Sequence, residues 1–190
     1  MLSCLAGALF LVIAPTAEST NKISDPASGL TQQSSVLVVQ RPASHCRMGE
    51  QVLFNCKVDR GPKIISLCGS KQLTDKKGYL QYRFGKPGAI ELQFPQNLGG
   101  SQAAFRYDHY FRYRVDRTDL HFENGGYEYV LFNHWEGDVK PEKTAAGVSV
   151  TRAKNDQDSV QQTCRGNAVS RLGLLESVVP ILEPSELNPD

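Results

Sequence analysis

The stretch from Phe105 to Phe132 constrains the fold more than any other part of the chain. From Phe105 to Val115 it alternates: Phe105, Tyr107, His109, Phe111, Tyr113 and Val115 fall on one side, Arg106, Asp108, Tyr110, Arg112 and Arg114 on the other. A period of two is that of a β-strand with one buried face. A two-residue turn at Asp116-Arg117 sets Phe111 against Phe122, Tyr113 against Leu120, Tyr110 against Glu123 and Arg114 against Asp119, so that apolar meets apolar and cation meets anion. Asn124-Gly125 supplies a second hairpin turn, since both residues tolerate positive φ, and it pairs His121 with Glu128. A turn one residue later would oppose Glu123 to Glu128 and is disfavoured for that like-charge contact. The expected product is a three-stranded antiparallel meander with an aromatic face and a charged face carrying Arg106, Arg112, Arg114, His121, Glu123 and Glu128.

Shorter strands at hairpin spacing surround it. Gln51 to Val58 places Val52, Phe54, Cys56 and Val58 on one face, and Asp59-Arg60-Gly61-Pro62 turns the chain into Lys63 to Cys68. Tyr79 to Phe84 and Ala89 to Phe94 flank a turn at Gly85-Lys86-Pro87-Gly88, and Gln96 to Ala103 reads as a flexible connection. Beyond Phe132, Asn133 to Asp138 reads as a polar loop carrying the only tryptophan, Trp135. Val148 to Arg152 is a further strand, Lys154 to Gln161 an exposed turn, and Ala168 to Leu182 a short helix or coil. About eight short strands with no long amphipathic helix predict an all-β antiparallel sandwich or barrel-like domain.

A chain of 190 residues holds one such domain with a core of useful size. The expected division is a signal peptide over residues 1–19, a flexible leader over 20–45 with Val36 to Val39 as an edge strand or tether, one β domain over 46–182 and a frayed tail over 183–190. The apolar run Leu5 to Ala14 has signal-peptide length and is too short to span a bilayer comfortably, so a periplasmic or secreted location is expected, with no stable membrane span. Formal net charge is +1, which advertises neither nucleic acid nor an anionic membrane as a partner. With Cys4 set aside, Cys46, Cys56, Cys68 and Cys164 remain, an even number in a chain bound for an oxidising compartment. Two disulfides are expected, with Cys56 to Cys68 and Cys46 to Cys164 preferred among three connectivities.

Catalysis is a poor fit. The chain has no G-x-S-x-G elbow, no H-E-x-x-H and no glycine-rich phosphate loop, and paired cysteines leave no thiolate nucleophile. His45, His109, His121 and His134 are scattered, and His134, Glu136 and Asp138 have no specific metal spacing, so neither a metal nor a cofactor is expected. A hydrolase using His121 with Glu123 or Glu128 is the remaining enzymatic reading. Arg106, Tyr110, Arg112 and Arg114 project from one side of a strand, and Arg and Tyr are residues that interfaces favour. The competing account is an ordinary solvated sheet face, with Arg114 answered by Asp119 and Tyr110 by Glu123. Trp135 is a second anchor if its loop exposes it.

Phe54 to Ser70, Gly78 to Pro95, His109 to Phe132, Ala146 to Val150 and Thr163 to Glu176 together resemble a family of exported bacterial β-proteins related to the periplasmic inhibitors of i-type lysozyme, which includes immunity proteins against peptidoglycan-degrading effectors. The resemblance implies an eight-stranded antiparallel fold that blocks a lysozyme-like cleft with a protruding loop bearing Ser-Gly-x-Tyr. The matching region here runs from Gly99 to Tyr110 and holds Ser101 without the following glycine. Arg106 and Tyr110 are the expected replacements, since a cation suits a site built from paired carboxylates. Ser101, Arg106, Tyr107, Asp108, Tyr110, Arg112 and Trp135 are thus the candidate partner-binding residues, and a peptidoglycan-degrading enzyme is the expected protein partner. The alternative is an envelope or structural β-domain without an inhibitory target.

Overall fold

A computed structural model describes residues 43–152 and 155–183. The expected signal peptide, the leader up to residue 42 with its edge strand, and the tail from residue 184 lie outside the described residues. In chain order the strands are β1 (Glu50–Lys57), β2 (Ile64–Ser70), β3 (Leu80–Lys86), β4 (Ala89–Phe94), β5 (Arg106–Arg112), β6 (Val115–Asn124), β7 (Tyr127–Glu136), β8 (Lys143–Arg152), β9 (Asn155–Thr163) and β10 (Val169–Ser170). One sheet has the order β10-β1-β2-β3-β4 and the other β5-β6-β7-β8-β9, with antiparallel pairing in both. The all-β class is therefore as expected. The count is ten among the described residues rather than eight, and the sheets remain open instead of closing into a barrel.

The differences have local causes. Lys154 to Gln161, expected as a turn, is mostly β9: an edge strand held by its ladder to β8, where Val150 faces Val160, needs no alternating apolar face. Asn133 to Glu136, expected as loop, continues β7 because β6 and β8 pair with it on both sides. The β5–β6 turn falls at Tyr113-Arg114, not Asp116-Arg117, so Arg112 faces Val115 and Tyr110 faces Arg117. The β6–β7 turn is Gly125-Gly126, with φ of 61° and 79°, so the disfavoured register is the one formed. Two glycines meet the positive-φ requirement at no steric cost. Glu123 does stand opposite Glu128, but His121 lies within hydrogen-bond distance of Glu128 (3.1 Å), and Leu120 meets Leu131.

The disulfides are Cys46–Cys68 and Cys56–Cys164, the other pairing from the one preferred on sequence. Cys56 stands opposite Ile65 and Cys68 opposite Val52, so on neighbouring strands the two lie about 10 Å apart along the ladder, beyond disulfide reach. Cys56–Cys164 instead joins the end of β1 to the chain leaving β9, stapling one sheet to the other. The segment Gln96 to Ala103, expected to be flexible, ends in a 3-10 turn over Ser101–Ala104 that buries Ser101 and Gln102. The segment Ala168 to Leu182, expected as a short helix or coil, begins with the short strand β10 paired to β1 and continues as coil with a 3-10 turn at Leu172–Leu175, which seats Leu172 and Leu175 in the core.

The outer side of the first sheet is sealed by a polar network. Arg83 is fully buried and donates to both carboxylate oxygens of Glu50, at 2.6 and 2.7 Å, to the His45 carbonyl at 2.8 Å and to Gln81 Oε1 at 2.9 Å. Tyr79 adds its hydroxyl to Glu50 at 2.8 Å. His45 is buried, its backbone N–H donating to Ser66 Oγ, and Asn55 Nδ2 donates to the Ala43 carbonyl. Residues 43–45, assigned on sequence to the leader, therefore belong to the domain.

Burial pushes the Glu50 carboxyl up, but the bonds from Arg83, the Arg47 amide and Tyr79 outweigh it and hold the group below its ordinary value near 4.5. A carboxyl so lowered stabilises the fold at pH values above its unfolded pKa, and that contribution is lost as pH falls through the folded value. Glu50→Ala should leave Arg83 buried and unpaired, costing about 3 kcal/mol or more in urea unfolding at pH 7; the deficit against wild type should shrink as the pH is lowered from 5 towards 3. Peptide mapping without reduction should recover Cys46 linked to Cys68 and Cys56 linked to Cys164, and the double variant Cys56→Ser, Cys164→Ser should lose about 4 kcal/mol.

Candidate functional site

The alternation that makes β5 a strand continues further than the opposite sheet can cover. Phe105 and Tyr107 are buried at 0% and 1% exposure, whereas Phe111 on the same face is 70% exposed and Tyr113, at the turn, 83%. Ring contacts run along that face from Tyr107 to His109 to Phe111, each step 6.3 Å between centroids. Tyr110, on the opposite face, is half exposed. The hairpin end thus presents three large aromatic side chains in sequence neighbourhood, Tyr110, Phe111 and Tyr113, on a ribbon whose other end is rooted in the core.

What holds this end in place is its own arginines. Arg112 bonds Asp138 at 2.6 Å, Arg114 bonds Glu142 at 2.8 Å and the Gly137 carbonyl, and Arg117 bonds Glu136. Gly137 returns the contact by donating its N–H to the Arg114 carbonyl at 2.8 Å. Arg114 adopts φ 59°, as the second residue of this tight turn. The Arg112 bond lowers the Asp138 carboxyl below its ordinary range, and reciprocally raises the guanidinium. Exposed ion pairs are individually weak, but those of Arg112 and Arg114, with the backbone bond from Gly137, tie this hairpin to the β7–β8 connection, and Arg117 holds β6 to the last residue of β7.

The residues expected to bind a partner do not gather in one place. Ser101 is buried, at 2% exposure, where its hydroxyl accepts the Leu80 amide at 2.8 Å. Tyr107 is core, and its hydroxyl pKa is raised by burial first and by the Glu176 anion second. Arg106 is half-buried and donates to the Ala103 and Phe105 carbonyls at 2.9 and 3.0 Å. Asp108 stands opposite Asp119, which His134 meets at 2.7 Å. Tyr110 and Arg112 do lie together near the tip. Trp135 is half-buried in β7, its ring against Gly137, and shares a face with Asp116 and Phe111. The expected pairs of Arg114 with Asp119 and Tyr110 with Glu123 are not made, because the turn sits three residues earlier.

Phe111 and Tyr113 are the residues that sequence reasoning placed in the core instead. A signal was present: an alternation of eleven residues is about twice the common strand length, so its far end was bound to outrun a neighbour.

His121, Glu128, Glu123 and Arg106 line a separate cleft of about 360 Å3 together with Phe94 and Phe122. His121 Nδ1 and a Glu128 oxygen are 3.1 Å apart, and no hydroxyl or thiol side chain is among the residues lining the cleft. His134, Glu136 and Asp138 are each turned to another residue, Asp119, Arg117 and Arg112, rather than to a common point.

These features define a disulfide-stapled, open two-sheet β-sandwich with an aromatic hairpin end. Among the described residues no helix is long and apolar enough to cross a membrane, and the two disulfides are compatible with export. Compared with protein-family models, with curated proteins and with solved structures, the chain finds no match in any of the three.

Replacing Tyr110, Phe111 or Tyr113 by Ser should change unfolding free energy by no more than about 0.5 kcal/mol, the usual range for surface positions. Tyr107→Ala should cost about 3 kcal/mol or more, as for a large buried side chain. Urea titrations of the four variants check the division between tip and core.

Proposed function

We propose that the protein is an exported binding protein, inhibitor-like or immunity-like, directed against a lysozyme or another peptidoglycan hydrolase, and that the β5–β6 hairpin end is its docking edge. The observation that carries this reading is the exposure of Phe111 and Tyr113 beside Tyr110 on a hairpin braced by three arginine ion pairs. Aromatic side chains bring large contact area with little entropy to lose, and bracing lowers the ordering cost of docking. The resemblance of several segments to inhibitors of i-type lysozyme supports the target class, and the two disulfides suit the periplasm or the exterior.

The tip, rather than Ser101 and Arg106, is the functional edge in this reading. Its arginines are already answered by Asp138, Glu142 and Glu136, so contact there rests on aromatic surface more than on a free cation seeking carboxylates. That same neutralisation, with Ser101 buried, favours a second reading: an envelope or structural β-domain that inhibits nothing.

Titration of the purified chain into lysozymes of different types and an amidase separates the two. The inhibitor reading expects stoichiometric loss of activity for one of them, weakened at least thirty-fold by Phe111→Ser with Tyr113→Ser and unchanged by Arg60→Ala. Absence of inhibition across the panel, with no hydrolase captured from envelope extract, would leave the structural reading.

A further inference from the structure

The two sheets do not meet along their whole length. Phe94, Phe105, Phe122 and Tyr129 fill the interior on one side, but beside the β1–β2 turn the inner faces of β3 and β4 part from those of β7, β8 and β9. The gap is a cleft of about 490 Å3 walled by Phe84, Leu92, Val148, Val150 and Val160, with the hydroxyl-bearing rings of Tyr82 and Tyr129 at its inner end. That volume falls within the range of small-molecule sites, about 300–1,000 Å3. Val160, on the edge strand, is 58% exposed, so apolar wall reaches the solvent at the opening.

The charge at the opening has one sign. Arg60 and Lys63 line it and no carboxylate does. Lys63 is shared: its ammonium lies 5.0 Å from the centre of the Phe84 ring and 2.6 Å from Glu91, outside the lining. Arg60 is exposed and makes no ion pair among the described residues. Burying an alkyl chain here is favourable at about 0.8 kcal/mol per methylene, and an anionic head left at the rim keeps its water while gaining the Arg60 charge. A cationic head would meet like charge, and a purely apolar ligand would leave the arginine unused.

We propose that this cleft binds a single-chain anionic amphiphile, its alkyl chain between the sheets and its head group at Arg60 and Lys63. The site shares no residue with the hairpin end and stands whether or not that edge docks a hydrolase. A long-chain carboxylate and a lysophospholipid offer the same chemistry, and titration distinguishes them.

The test is calorimetric titration of the delipidated full chain with dodecanoate, with twelve-carbon lysophosphatidylglycerol and with dodecyltrimethylammonium, each below its micellar concentration. The expected result is saturable one-to-one binding of at least one anion, at least ten-fold tighter than the cation. Arg60→Glu with Lys63→Gln, both at the rim and outside the core, should weaken that binding at least ten-fold, and Val160→Trp should block it while leaving the urea midpoint within error. The tighter of the two anions identifies the source. No saturable binding of either anion, equal binding of the cation, or indifference to the Arg60 and Lys63 changes would overturn the proposal.

Discussion

The sandwich depends on Phe122. Its ring stacks on Phe94 from the first sheet at 4.7 Å and on Tyr129 of its own sheet at 4.8 Å, and it meets Tyr82 at 5.0 Å and Phe105 at 5.5 Å. Sheets packed face to face stand about 10 Å apart, a distance that rings fill well. Pairs of this kind add about 0.5–1.5 kcal/mol each beyond the area they bury. The cluster does not fill the whole space between the sheets. On one side the sheets part into the cleft walled by Phe84, Leu92 and Val160. Along β5 the aromatic row leaves the shelter of the first sheet and ends in the exposed hairpin.

The staples act at different places from the cluster. Cys56–Cys164 joins the sheets, while Cys46–Cys68 and the Arg83–Glu50 network fasten residues 43–50 against the first sheet. A buried ion pair of this kind adds little to stability compared with apolar residues of the same shape, but losing one partner is costly. Its more specific effect is directional. It fixes where the chain enters the domain, through His45 and Ala43, on a face that neither the hairpin end nor the cleft occupies.

Much of this was legible in the sequence. Period-two alternation gave the strands, and it also gave the sharing of faces by Phe105, Tyr107, Leu120 and Phe122, because every turn shift observed here preserves which face a residue is on. Register was not legible. Charge matching favoured Asp116-Arg117 and Asn124-Gly125 as turns, yet cross-strand pairs on a wet face are worth only tenths of a kcal/mol, less than two glycines gain at a type I′ turn or than Leu120 gains by meeting Leu131. The disulfides were missed for a different reason: Cys56 and Cys68 were paired for lying on neighbouring strands, although the turn at Asp59 to Pro62 sets Cys56 opposite Ile65, three residues from Cys68. Of the expected partner-binding residues, Tyr110 and Arg112 lie at the hairpin tip, while Phe111 and Tyr113 beside them looked like core because their spacing is core spacing. The extent of the covering sheet is a tertiary fact with no local signature.

The central claim is that one aromatic row passes from a sealed core into solvent within a single strand. Aromatic-ring NMR with a soluble paramagnetic probe tests it most directly. The account predicts strong broadening of the Phe111 and Tyr113 ring signals, intermediate broadening for Tyr110, and none for Phe105, Tyr107 or Phe122. Protection of Phe111 equal to that of Phe122 would contradict it.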